Sequence, residues 1–181
     1  MITISCSTYG HRFLSLDKAL ERIAGLGFQA VDVVGTRPHL LTDDYDDAAT
    51  VRLGERISSL GLTVSAVHAF DGHPFWHFTA ANERHRKDTV RHVKSCIDVA
   101  QVLGAKVVAT ITGMPVIADV GEGTAWAYAR DGLRECAEYA EPTGVCLALE
   151  GEENNVVRTS NDTVRMVRDV DHPNLRALFE I

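Results

Sequence analysis

The chain has 181 residues, 45% hydrophobic, 24% charged and 7% aromatic, with a formal net charge of −7. That length and balance suit a globular domain with a real buried core and exclude a disordered, collagenous or coiled-coil chain. The acidic excess and the lack of any Lys/Arg cluster disfavour nucleic acid and anionic membrane as partners, and no apolar run approaches the roughly 20 residues of a membrane span.

In chain order, an apolar run at Ile2–Ser5 predicts a first strand. Leu16, Leu20, Ile23 and Leu26 follow at helical spacing behind Ser15, a helix-start residue, and Gly27 stands where that helix would end. A second strand is predicted at Ala30–Val34, and a helix through Leu53, Ile57 and Leu60 that closes at Gly61. Thr63–Val67 predicts the third strand, Asn82 starts a helix through Val90, Val93, Ile97 and Ala100, and Gly104 ends it. The fourth strand is Lys106–Ile111, followed by a helix through Trp126, Ala129, Leu133, Cys136 and Ala140, with Gly144 behind it. The fifth is Val145–Leu149, and Thr159-Ser160-Asn161 opens a helix through Val164, Val167 and Val170. His172-Pro173-Asn174 turns the chain into a sixth strand at Ala177–Ile181, proline blocking helix continuation. The glycines accept the left-handed conformation that closes a helix.

This strict alternation predicts one α/β domain with a parallel sheet and right-handed crossovers, either an open doubly wound sheet or a (β/α) barrel. No GxGxxG or Walker A follows the first strand, which removes the usual nucleotide-binding marks of the open fold. A barrel concentrates chemistry in the loops after its strands, where this chain holds its reactive side chains. These are His11 and Arg12; Asp32, Arg37 and His39; His68, His73 and His77 with Phe70, Phe75, Trp76 and Phe78; Glu150, Asn155 and Arg158; and Glu180.

Glu150 is the sharpest of them, a carboxylate capping the apolar run CLAL. Such a group needs a cation, a donor set or a shifted pKa. It is read as a metal ligand sharing an ion with Glu180, as a general base beside a carbonyl, or as a partner of a strand-end arginine. His68 is either a substrate or metal contact or a core histidine. The aromatic cluster is either a platform for a sugar ring or a plug over one end of the barrel. Arg12, Arg37 and Arg158 are phosphate holders or solvated surface groups. Cys6, Cys96, Cys136 and Cys146 form no CxxC and read as free thiols of a cytoplasmic protein; MITISCSTYG lacks the basic and apolar stretches of a signal peptide.

The segments GFQAVDVVG, ERHRKDTVRHVKSCIDVAQVLGAKVV and LALEGEENNVVRTSNDTVRMVRDVDHPNLRALFE resemble the xylose isomerase-like TIM barrels, in particular the sugar phosphate isomerase/epimerase proteins. The resemblance runs from about residue 2 to the last residue. It implies a divalent metal (Mn, Mg, Co or Zn) and a small sugar or sugar-phosphate substrate. It also implies proton transfer next to a carbonyl through an enediolate. Glu150 matches the strand-five glutamate that binds the metal and takes part in proton transfer. Glu180 stands where the family closes its sixth strand with an aspartate ligand. His68 matches a strand-three substrate contact and Asp32 the acidic residue of strand two. His11, Trp76 and Asn155 are further candidates for substrate binding.

The family's seventh-strand histidine and eighth-strand glutamate have no counterpart here. The expectation is therefore a partial barrel of six strands spanning 1–181, truncated from a longer one. Its open edges would form a homo-oligomer. Two alternatives remain: a non-catalytic remnant that binds ligands or another subunit, and a related barrel nuclease for abasic DNA. His68, His73 and His77 favour the nuclease and the net charge opposes it.

Overall fold

The computed structural model describes residues 3–70, 76–113 and 120–179. Six parallel strands stand in the order β1-β2-β3-β4-β5-β6. They are β1 Ser5–Ser7, β2 Ala30–Val34, β3 Thr63–His68, β4 Val107–Thr110, β5 Cys146–Leu149 and β6 Leu175–Ala177. The intervening helices are α1 Leu16–Gly25, α2 Asp47–Ser59, α3 Glu83–Val102, α4 Glu122–Ala140 and α5 Ser160–Val170. This is the α/β, TIM-barrel-type arrangement, each strand beside the one before it in sequence, rather than the doubly wound sheet that the alternation also allows.

Local chemistry accounts for most boundaries. Asn82 caps α3 by accepting a hydrogen bond from the Arg84 N–H, and Thr159 with Asp162 forms a reciprocal capping box on α5. Gly27 and Gly144 take the predicted left-handed turns, at φ 88° and 70°. Asp171 makes the corresponding turn after α5 at φ 49°, ahead of the His172-Pro173-Asn174 segment.

Two strands lie elsewhere than the apolar runs indicate. β1 is Ser5–Ser7 rather than Ile2–Ser5, and Ile4 is 72% exposed. β6 is Leu175–Ala177 rather than Ala177–Ile181. Both stand at an end of the strand order, where one neighbour's register fixes the strand: Ser5 pairs with Ala30, and Leu175 with Leu147.

The core lies between sheet and helices. Val67, Val108, Leu147 and Leu149 pack with α3, α4 and α5, while Val31 and Val33 pack with α1 and α2. These residues form the helix-facing side of the strands, so their alternate neighbours face the barrel interior. Among the described residues no helix is long and apolar enough to cross a membrane.

Candidate functional site

Three ionisable side chains meet on the interior face. Glu150 follows Leu149, which faces the helices, so it points inward at the end of β5. Asp32 lies between the helix-facing Val31 and Val33. His68 ends β3, one residue after the helix-facing Val67. His68 is level with Ala109 on β4, and Ala109 with Ala148 on β5. Two alanines thus lie where larger side chains would stand between β3 and the end of β5. Across that gap His68 Nε2 is 3.4 Å from Glu150 Oε2. On its other side, His68 Nδ1 is 3.9 Å from Asp32 Oδ2.

The cluster is largely dehydrated: the side chains of His68, Asp32 and Glu150 are 17%, 20% and 12% exposed. Burial pushes the Asp32 carboxyl above the usual range; His68 and the Ser7 hydroxyl act against that rise, and Glu150 adds to it. Glu150 Oε2 and Asp32 Oδ1 are buried and have no hydrogen-bond partner among the described residues. A buried carboxylate oxygen of this kind fits one ligand position of a hard divalent cation. Among the described residues no group of three or more His, Cys, Asp or Glu forms a metal centre. Glu180, the other expected ligand, lies outside them, as does His73.

The remaining candidates sit in the surrounding loops. Trp76 stacks on His92 of α3, ring centroids 4.4 Å apart and planes 4° from parallel, while His92 Nε2 lies 2.8 Å from the Ala69 carbonyl oxygen. Phe70 and Phe78 meet edge to face within the helix-side core, so these two aromatics pack the fold beneath the loop. The loop is set against the end of β4 and against α3: the Phe78 N–H donates to the Thr112 carbonyl after β4, and the His77 N–H to Thr89 Oγ1 of α3. Gly113 permits that approach. Its φ is 92°, and a Cβ there would stand 2.7 Å from His77 Cα.

Asn155 is buried in the loop after β5, where its amide donates to Glu152 Oε2 at 2.7 Å and its carbonyl faces Thr112 Oγ1 at 3.5 Å. His11 lies after β1 near His39; its Nδ1 is buried and has no hydrogen-bond partner among the described residues. The three arginines considered as phosphate holders all have protein contacts. Arg37 engages Asp44 through two bonds, Arg158 pairs with Glu122, and Arg12 lies over Tyr9 and Phe13.

Asp32, the acidic residue expected on the second strand, is a lone aspartate inside the apolar strand AVDVV. Ser7 carried no signal in the sequence; its pairing with Asp32 in the β1–β2 register brings it to the cluster.

The sequence matches the family described as Xylose isomerase-like TIM barrel over residues 20–181. It is 26% identical over 188 residues to the fructoselysine 3-epimerase of Shigella flexneri, covering 96% of this chain and 64% of that enzyme. The chain thus spans less than two thirds of this relative's length. Its fold is similar to a solved L-ribulose 3-epimerase, with TM-score 0.80 and 23% identity over 98% of this chain and 60% of the other. A xylose isomerase-like TIM barrel protein from Mycobacterium smegmatis, solved in complex with magnesium, gives TM-score 0.70 and 20% identity over 89% of this chain and 54% of the other.

Proposed function

The chain belongs to the xylose isomerase-like TIM barrel family, and from that premise we propose that it serves the epimerisation or isomerisation of a small sugar or sugar derivative. The observation that carries this reading is Glu150: an interior carboxylate at the end of β5, with a buried oxygen 3.4 Å from His68 Nε2. A carboxylate in that setting can remove a proton from a carbon next to a carbonyl, leaving an enediolate, and can return that proton to the neighbouring carbon on the same face; epimerisation also takes a second proton donor on the opposite face. His68 bonds a substrate hydroxyl, and Trp76, His11 and Asn155 shape the surrounding loops.

Glu150 and Glu180 would hold a divalent cation; Mn, Mg, Co and Zn are the candidates, and the magnesium complex of a similar fold supports this class of ion. When bound, such an ion supplies positive charge that polarises the substrate carbonyl. The similarity to fructoselysine 3-epimerase supports a ketose or ketose derivative as substrate. The protein contacts of Arg12, Arg37 and Arg158 favour an unphosphorylated one.

We also assign residues 1–181 to a single partial-barrel unit that self-associates along its outer strands, which are flanked by Ile4, 72% exposed, and Phe179, 64% exposed. Its thiols are free, which suits a cytoplasmic setting.

The test incubates the protein with a ketose, ketose-phosphate and fructosamine panel, with and without Mn²⁺, Mg²⁺, Co²⁺ or Zn²⁺, following epimer formation by NMR. Turnover that is lost in Glu150→Ala supports the reading. A metal-induced rise in Tm that is equal in wild type and Glu150→Ala would remove Glu150 from the metal site. Size-exclusion with light scattering tests self-association, and a monomer at all concentrations would refute it.

A further inference from the structure

The pairing of β3 with β2 is broken by a bulge. Ala30 pairs with Thr63 and Val31 with Val64, but Asp32 then pairs with Ala66, skipping Ser65. One residue bulges out of β3, and the Ser65 hydroxyl donates to the Val31 carbonyl at 3.1 Å. A bulge reverses the facing of everything after it. Without it Asp32 would pair with Ser65 and Val67 would share its face. With it, Asp32 and Val34 are level with Ala66 and His68. The small Ala66 beside Asp32 leaves room for the His68 ring to approach the carboxylate. On its other side Asp32 is level with Ser7, its register partner on β1.

We propose that Asp32 is a positioning residue that fixes the His68 ring so that its Nε2 edge meets Glu150, and that it therefore orients the Glu150 carboxylate through the imidazole. The inference rests on the reading of Glu150 as the proton-transferring group. The observations that carry it are the two contacts of one ring, 3.9 Å to Asp32 Oδ2 and 3.4 Å to Glu150 Oε2. A third is the bulge that puts the three groups on one face. A carboxylate buried in an apolar strand is unfavourable for the fold on its own, so its placement against His68 calls for a role in the site. Asp32 contacts the His68 ring and acts on the reaction by positioning it.

A double-mutant cycle of Asp32→Asn and His68→Gln, on whichever sugar is turned over, tests the chain of contacts. Asp32→Asn lowers kcat about tenfold with KM changed less than about twofold, and in the His68→Gln background it changes kcat by less than about twofold. An unchanged kcat in Asp32→Asn, or the same loss in both backgrounds, overturns the proposal.

A second readout needs no substrate. The ring ¹⁵N resonances of His68, assigned by their loss in His68→Gln, shift in Asp32→Asn while those of His172 stay in place. Unmoved His68 resonances overturn the proposal even if the protein is active. Absence of turnover on every sugar would sink the epimerase reading instead and leave the resonance test to decide the positioning role. Far-UV circular dichroism of Asp32→Asn verifies that the fold is kept.

Discussion

Gly132 of α4 lies flush against the ring of Phe78: a Cβ at position 132 would stand 2.5 Å from Phe78 Cδ1 and 3.0 Å from Cε1. Phe78 is 1% exposed and has no route outward. Gly132→Ala therefore sets two effects against each other. Helix propensity favours alanine by about 1 kcal/mol, whereas overpacking costs about 1–3 kcal/mol. The overlap wins here because the ring is confined. We expect Tm to fall by several degrees in Gly132→Ala, and the same alanine to become neutral or stabilising in a Phe78→Leu background. Thermal denaturation of the four proteins measures both effects.

Glu150→Gln separates function from stability. Loss of the proton-accepting carboxylate lowers epimerase kcat by about 10²–10⁴-fold. The same change removes a buried anion whose Oε2 has no hydrogen-bond partner among the described residues, so metal-free Glu150→Gln should melt no lower than wild type. A variant that loses both activity and several degrees of Tm would make Glu150 a structural residue.

The stability of the protein should fall on mild acidification, with His39 as one cause. This side chain is buried, with Nε2 3.1 Å from the Leu14 carbonyl oxygen. Burial, the largest influence, holds its pKa below the ordinary 6.5. The unfolded chain therefore takes up the proton first as pH drops. The associated stability is complete above about pH 6.5 and declines below it, until the folded state is protonated as well. Denaturant midpoints between pH 8 and pH 5 should show this slope, and His39→Asn should flatten it. An identical slope in both proteins would exonerate His39.

The four cysteines should divide by accessibility. Cys96 and Cys136 are fully enclosed, and burial pushes both thiols far above their ordinary range. Cys6 and Cys146 are half-buried, also with raised thiols. Iodoacetamide at neutral pH should label Cys6 and Cys146 slowly, and Cys96 and Cys136 only after unfolding. Peptide mass spectrometry distinguishes the two pairs, and native-state labelling of Cys96 would contradict the packing of α3 against Gly35.

Much of the architecture was readable from the chain. Ala30–Val34 is the second strand as the apolar run indicates, because β2 has a neighbour on each side in the sheet and its side chains are enclosed. Asn82 and Thr159 mark helix starts since their side chains bond the free N–H groups of the first turn. The outer strands were less legible, since a run such as Ile2–Ser5 carries hydrophobicity but no register. The aromatic loop was ambiguous for a related reason. Phe70 and Phe78 look like a sugar platform in sequence, yet Phe78 fills the gap that Gly132 leaves in α4 and Phe70 packs edge to face against it.

Sequence alone determined the repeating strand–helix alternation, its glycine turns, and the presence of an acid at the end of β5. These follow from local periodicity and from conformations that few residue types adopt. Tertiary structure decided which side of the sheet each reactive group faces. Plain alternation along β3 puts His68 on the same side as Val64, toward the helices. The extra residue at Ser65 turns it inward, to lie between Asp32 and Glu150. A bulge is a mismatch between two strands, and its position exists only once the strands have paired.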